Sequence, residues 1–172
     1  MAELLPRERL QPALLDRLTD HDRQNSKETL KERVLTMRQL RNSVLRDLGW
    51  LLNTINYQAA HGLDDYPLVA RSVLNYGLPE LTSRIVASMT PRELEAVVKQ
   101  AIIHFEPRIL PGTVRVRAMV SPDLMNRHAV GFEIEGDLWA HPTPLHLVIK
   151  TEVDMETGHA AVAGAPSDPG AV

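Results

Sequence analysis

The sequence predicts an α+β domain: one long helix, one or two short ones and one capped at Thr90, packed on a C-terminal antiparallel meander of three to four strands. Three observations predict it. Apolar residues recur at helical spacing between 30 and 55 and again between 94 and 105. A threonine, a proline and a glutamate stand at 90, 91 and 93 in the order of a helix start. Beyond Gly112 the apolar period changes from helical to alternating. Helices first and strands after describe an α+β domain rather than a wound parallel sheet.

Residues 1–25 are charged and broken by Pro6 and Pro12, with one apolar cluster at Leu14, Leu15 and Leu18. Such a segment buries little by itself, so it is expected to be flexible or to dock on something else. Ser26 is the expected N-cap of the long helix. Leu30, Val34, Met37, Val44, Leu48, Leu51 and Ile55 then step by three, four or seven residues along one face, widened by Leu45 and Leu52. His61 to Pro67 is rich in turn formers and ends this unit. A short helix is expected near 67–74, followed by a sharp break at Asn75-Tyr76-Gly77-Leu78-Pro79.

Thr90 caps the next helix, Pro91 takes its first position and Glu93 can return the capping bond. Leu94, Val97, Val98, Ala101, Ile102 and Phe105 share one of its faces, and Pro107 stops it. In the first strand Val114, Val116, Ala118 and Val120 face one way, Arg115 and Arg117 the other. In the second, Phe132, Ile134 and Leu138 face inward while Glu133, Glu135 and Asp137 face out. A hairpin centred on Met125 sets Arg117 opposite Glu133, Arg115 opposite Glu135, Val116 against Ile134 and Ala118 against Phe132. The third strand runs from Leu145 to Val153, with Lys150 able to meet Glu133. Glu156-Thr157-Gly158 turns the chain into a short fourth strand around 159–163. These elements form a single domain over 26–163, and a tail of small residues over 164–172 is expected to be disordered.

The composition excludes several classes of chemistry. Cysteine is absent, so disulfides, thiolate metal sites and a cysteine nucleophile are absent too. A net charge of −3 gives no electrostatic reason to expect nucleic acid or an anionic membrane. The early charges and Pro6 do not form the apolar core of a signal peptide, and no stretch approaches the roughly 18 apolar residues that span a bilayer. The seven histidines lack metal-ligand spacing, no serine stands in a nucleophile elbow, and no glycine-rich phosphate loop exists. No cofactor is expected. Glu133 and Glu135, two apart on a strand, lie about 7 Å from each other, a separation that inverting glycosidases use. Arg115, Arg117 and Lys150 across the strands favour their ionised forms and oppose an acid role.

Glu106-Pro107-Arg108 stands apart. A carboxylate at a helix C-terminus meets the negative end of the macrodipole, at a cost of a few tenths to about 1 kcal/mol. Pro107 fixes the corner. Two readings follow from these residues: an internal ion pair, worth little if exposed, or a two-signed docking point projecting from a rigid bend.

Taken together, Leu14-Leu15-Asp16-Arg17-Leu18, Ser43 to Leu48, Leu51 to Thr54, Ser72 to Pro79 and Phe105-Glu106-Pro107-Arg108 resemble, in order and spacing, the GPW/gene-25-like family of contractile-tail baseplate proteins. The resemblance spans about Leu14 to Val153. The Leu-Asp-Arg-Leu element points to the type VI secretion branch, with a contractile phage tail as the alternative. Ile109 departs from the leucine expected after the Glu-Pro-Arg motif.

The resemblance implies a non-enzymatic subunit of the baseplate wedge that helps to start assembly of the contractile sheath. It implies TssF and TssG as partners, looser contact with the TssK-containing periphery, and contact with sheath subunits. It implies partner binding by Glu106, Pro107 and Arg108, with secondary contacts at Leu14, Leu15, Asp16, Arg17 and Leu18. It also implies a cytoplasmic place at the inner face of the inner membrane, without membrane insertion. The family has also been labelled lysozyme-like; a muramidase acting through Glu133 and Glu135 is the remote alternative.

Overall fold

A computed structural model describes residues 12–19, 35–81, 88–119, 129–140 and 143–163. Among the described residues, four helices, α1 (Leu14–Leu18), α2 (Met37–Leu52), α3 (Pro67–Ala70) and α4 (Pro91–Phe105), lead into β1 (Arg115–Met119), β2 (Ala129–Leu138), β3 (Leu145–Asp154) and β4 (Ala160–Val162). The strands form one antiparallel sheet in the order β1-β2-β3-β4. The α+β class and the helices-then-meander order are those that the sequence predicts.

The expected cap of α2 is corrected. Leu35 and Thr36 are not helical, and α2 begins at Met37. Thr36 is the cap: its hydroxyl accepts from Gln39 N–H at 3.2 Å, while Gln39 Oε1 accepts from Thr36 N–H at 2.8 Å. This reciprocal box satisfies two groups that the first turn otherwise leaves open. Ser26, Leu30 and Val34 lie outside the described residues. The stripe ends earlier than its spacing suggests, because α2 stops at Leu52 and Ile55 is exposed. Leu40, Val44, Leu45, Leu48, Leu51 and Leu52 are buried against α4 and the sheet.

At Thr90 the local pattern is realised as written: the threonine hydroxyl accepts from Glu93 N–H, and the Glu93 carboxylate accepts from Thr90 N–H. Leu94, Val98, Ala101 and Ile102 are buried, and Val97 and Phe105 pack at the margin. The short helix expected near 67–74 is α3 followed by a separate 3-10 turn at Val73–Asn75.

The hairpin register is the expected one: Arg115 faces Glu135, Val116 faces Ile134, Arg117 faces Glu133 and Ala118 faces Phe132. Glu133 also stands opposite Lys150 on β3. Met125 and Val120 lie outside the described residues, as does the tail over 164–172. Phe132, Ile134, Leu138, Leu147, Ile149 and Val153 fill the inner face of the sheet.

Side chains close part of both sheet edges. The Asn53 carboxamide, just past α2, accepts from Ala160 N–H at 2.9 Å and donates to Ala160 C=O at 2.9 Å. It thus pairs with β4 as another strand would. At the opposite edge the Glu95 carboxylate accepts Ala118 N–H at 2.9 Å. Unpaired edge groups invite pairing with another chain, and both devices limit it.

Candidate docking site

Pro107 ends α4, and the three residues after Phe105 fold back on the helix end. Glu106 is the C-cap; its N–H donates to Ile102 C=O. Its side chain is 4% exposed. Arg108 turns round the corner and grips that carboxylate through Nε at 2.7 Å and Nη2 at 2.5 Å, with its own backbone N–H adding a third bond at 3.0 Å. The positive charge offsets the dipole conflict noted at the helix end. The expectation that both charges project from the bend is therefore corrected: Glu106 is buried and spent internally, while Arg108 is 24% exposed and Pro107 is exposed at the rim.

Arg108 reaches further, to α2. Nη2 donates to Asp47 Oδ2 at 2.5 Å and Nη1 to Ser43 Oγ at 3.3 Å. Ser43 and Asp47 are four apart, so one face of α2 presents both. Asp47 Oδ1 in turn accepts from Arg46, whose Nη1 donates to Asp16 of α1 at 2.5 Å. Charges of alternating sign thus run Asp16, Arg46, Asp47, Arg108, Glu106. Arg46 also lies over the Trp50 ring, 4.9 Å from its centroid.

The electrostatics follow from this chain of contacts. Burial alone lowers the pKa of Arg108, but the bonds and charges of Glu106 and Asp47 outweigh it and raise the pKa above its ordinary value. The bond to Asp16 raises that of Arg46, and the further pull of Asp47 helps to overcome burial. Both guanidinium groups keep their charge at any pH the fold meets. Burial raises the pKa of the Tyr76 phenol, and the charges of Asp47 and Glu106 add to it.

Of the predicted site residues, Leu15, Glu106, Pro107 and Arg108 come together, whereas Leu14, Asp16, Arg17 and Leu18 do not line the same cleft. A cleft of about 510 Å³ is lined by Leu15 of α1, Trp50 and Asp47 of α2, and Glu106, Pro107 and Arg108. Leu14 and Leu18 stand 69% and 73% exposed, and Arg17 is exposed as well. Sequence reasoning missed Arg46, Asp47, Trp50 and Tyr76 as parts of this site. An Arg-Asp pair beside an otherwise apolar stripe was the available signal.

Ile109 is buried and bridges Leu138, while Arg108 C=O accepts from Trp139 N–H at 2.7 Å. A Cβ on Gly136 would lie 2.7 Å from Ile109 Cγ2, so the branched side chain occupies space that the glycine leaves open. Glu133 and Glu135 lie 3.9 and 3.8 Å from the same Arg117 nitrogen, an arrangement of ion pairs rather than of an acid and a nucleophile. Among the described residues no group of three or more His, Asp or Glu is placed to hold a metal ion, and no helix is long and apolar enough to cross a membrane.

Among known proteins, residues 38–143 match the family described as baseplate wedge protein gp25. No curated protein sequence is significantly similar to the chain. A crystal structure from Geobacter sulfurreducens, described provisionally as a tail lysozyme, is 19% identical, with a TM-score of 0.40 over 68% of this chain and 92% of that one. A likeness that low carries no argument about activity. The family match takes in α2, the 72–79 break, the Glu106–Arg108 corner and the β1–β2 hairpin, well over half of the chain. The chain belongs to the gp25 family of baseplate wedge proteins and is a structural, non-enzymatic wedge subunit.

Proposed function

We propose that this wedge subunit serves a type VI secretion system, as a TssE-type protein that binds the wedge core and helps to initiate the contractile sheath. The observation that carries the reading is that Leu15 of α1 lines one cleft with Glu106, Pro107 and Arg108, while its neighbour Asp16 holds Arg46 of the same cleft. Both segments belong to the resemblance, and the Leu-Asp-Arg-Leu element is the one that favours secretion over a phage tail. In this reading TssF and TssG contact the cleft and the exposed leucines beside it, with Pro107 at the rim and Glu106 and Arg108 as its rigid floor. The TssK-containing periphery lies further out, and sheath subunits pair with free groups of a sheet edge. The protein works in the cytoplasm, against the inner face of the inner membrane. Residues 26–163 act as one domain, and 1–25 contribute the docking helix.

Because Glu106 is buried, the test uses exposed residues. TssF and TssG are captured on wild-type protein and on Leu15→Ser/Trp50→Ala, with circular dichroism and thermal melts of both. Capture lost with an unchanged spectrum and melt is the expected result. Undiminished capture by the variant overturns the cleft as the docking site. A wild-type protein that captures neither partner overturns the secretion assignment in favour of a phage tail.

A further inference from the structure

A second concave surface lies on another side of α4. A groove of about 540 Å³ separates the lobe around residues 56–79 from the Val97–Phe105 part of that helix. Its lobe wall is built rigidly. Asn75 is buried; its Oδ1 accepts from Gln58 N–H at 2.9 Å and its Nδ2 donates to Ala70 C=O at 2.9 Å. Gly77 has φ of +119°, and a Cβ there would stand 2.2 Å from Thr54 C=O. That closeness permits the paired bonds of Leu78 N–H to Thr54 C=O and Asn56 N–H to Leu78 C=O, both 2.8 Å.

The chemistry of the lining is one-sided. The chain as a whole is acidic, at −3, yet among the described residues no aspartate or glutamate lines this groove. Arg71, Asn56 and Gln58 belong to the lobe wall, and Gln100 and His104 to the α4 wall. Arg46 and Arg108 each hold two carboxylates, whereas Arg71 has no ion-pair partner among the described residues. A guanidinium fork donates two parallel bonds to a carboxylate, and side-chain amides can pair with an extended backbone.

We propose that this groove binds an extended segment of a partner protein bearing an acidic side chain, with Arg71 receiving the carboxylate. The surface is separate from the Glu106–Arg108 corner, although Phe105 lines both. It therefore stands or falls independently of the capture experiment above.

Fluorescein-labelled octapeptides alternating valine with aspartate, with serine or with lysine are titrated into the full chain by anisotropy. The aspartate peptide binds about tenfold more tightly than the serine peptide, as one added charge-assisted bidentate contact predicts. Arg71→Glu abolishes that preference and leaves the far-UV spectrum unchanged, since Arg71 is exposed. Arg71→Lys keeps part of it. Equal binding of all three peptides, or an aspartate preference that survives Arg71→Glu, overturns the proposal. Inorganic phosphate competing as well as the aspartate peptide also overturns it, because the site would then be an anion site and not a peptide groove.

Discussion

Removing Arg108 should cost more stability than removing Glu106, although the two form one ion pair. Among the described residues, every donor to the Glu106 carboxylate comes from Arg108: its backbone N–H, Nε and Nη2. Arg108→Ala leaves a carboxylate that is 4% exposed with a single backbone donor. Breaking a buried pair in this way costs about 3–5 kcal/mol. In Glu106→Ala the guanidinium keeps Asp47 and Ser43 and is 24% exposed, so about half of that cost, ~2 kcal/mol, is expected. In the double variant neither charge is orphaned, and its cost should fall short of the sum by about 1–3 kcal/mol. Urea unfolding followed by circular dichroism measures all four proteins, and in heat the Arg108→Ala midpoint should drop by roughly 6–20 °C. A Glu106→Ala cost equal to or above that of Arg108→Ala, or strict additivity, refutes the asymmetry. The same arithmetic warns that lost partner capture in either single variant can reflect a weakened fold.

Three further outcomes follow from local geometry. Thr90→Ala should cost about 1 kcal/mol in chemical denaturation, as loss of an N-cap does. Bonds from the Thr90 backbone N–H and then its hydroxyl hold the Glu93 carboxyl below its ordinary pKa. The Glu93 carboxylate's share of the cap is therefore full above the unfolded-state value and is lost as pH falls through the lowered one, while the bond from Glu93 N–H to the Thr90 hydroxyl does not titrate; carboxyl NMR should show that low midpoint in the wild type and a higher one in Thr90→Ala. Gly77→Ala should cost more than about 2 kcal/mol, because positive φ and the approach to Thr54 act together, whereas Gly112→Ala, with open space around it, should stay within about 1 kcal/mol. Asn53→Ala should cost about 1–3 kcal/mol and raise hydrogen exchange at the Ala160 amide, since it opens both groups of that residue.

What was legible in the sequence was local, or doubly constrained. The Thr90 box depends on residues three apart, and the β1–β2 register is demanded by charges on one face and apolar residues on the other. The start of α2 was legible in the same way, since Thr36 and Gln39 have capping-box spacing, but a stripe that continues back to Leu30 draws the eye past it. The Glu106–Arg108 pair admitted two readings because burial, which decides between them, depends on α2 lying alongside. The five-charge chain joins α1, α2 and the end of α4, and no local pattern announces contacts 30 and 61 residues apart.

The Asn53 carboxamide has a consequence for how the molecule assembles over time. It joins the end of α2 to a strand 107 residues further along the chain. During synthesis α2 emerges with its leucine face uncovered, and the last strand that it packs against arrives only when residue 160 has been made. Closing so long a loop comes late and slows folding, because the entropy of the intervening chain is lost before the contact rewards it. A truncation anywhere before β4 should therefore leave a chain prone to aggregate rather than a smaller stable domain.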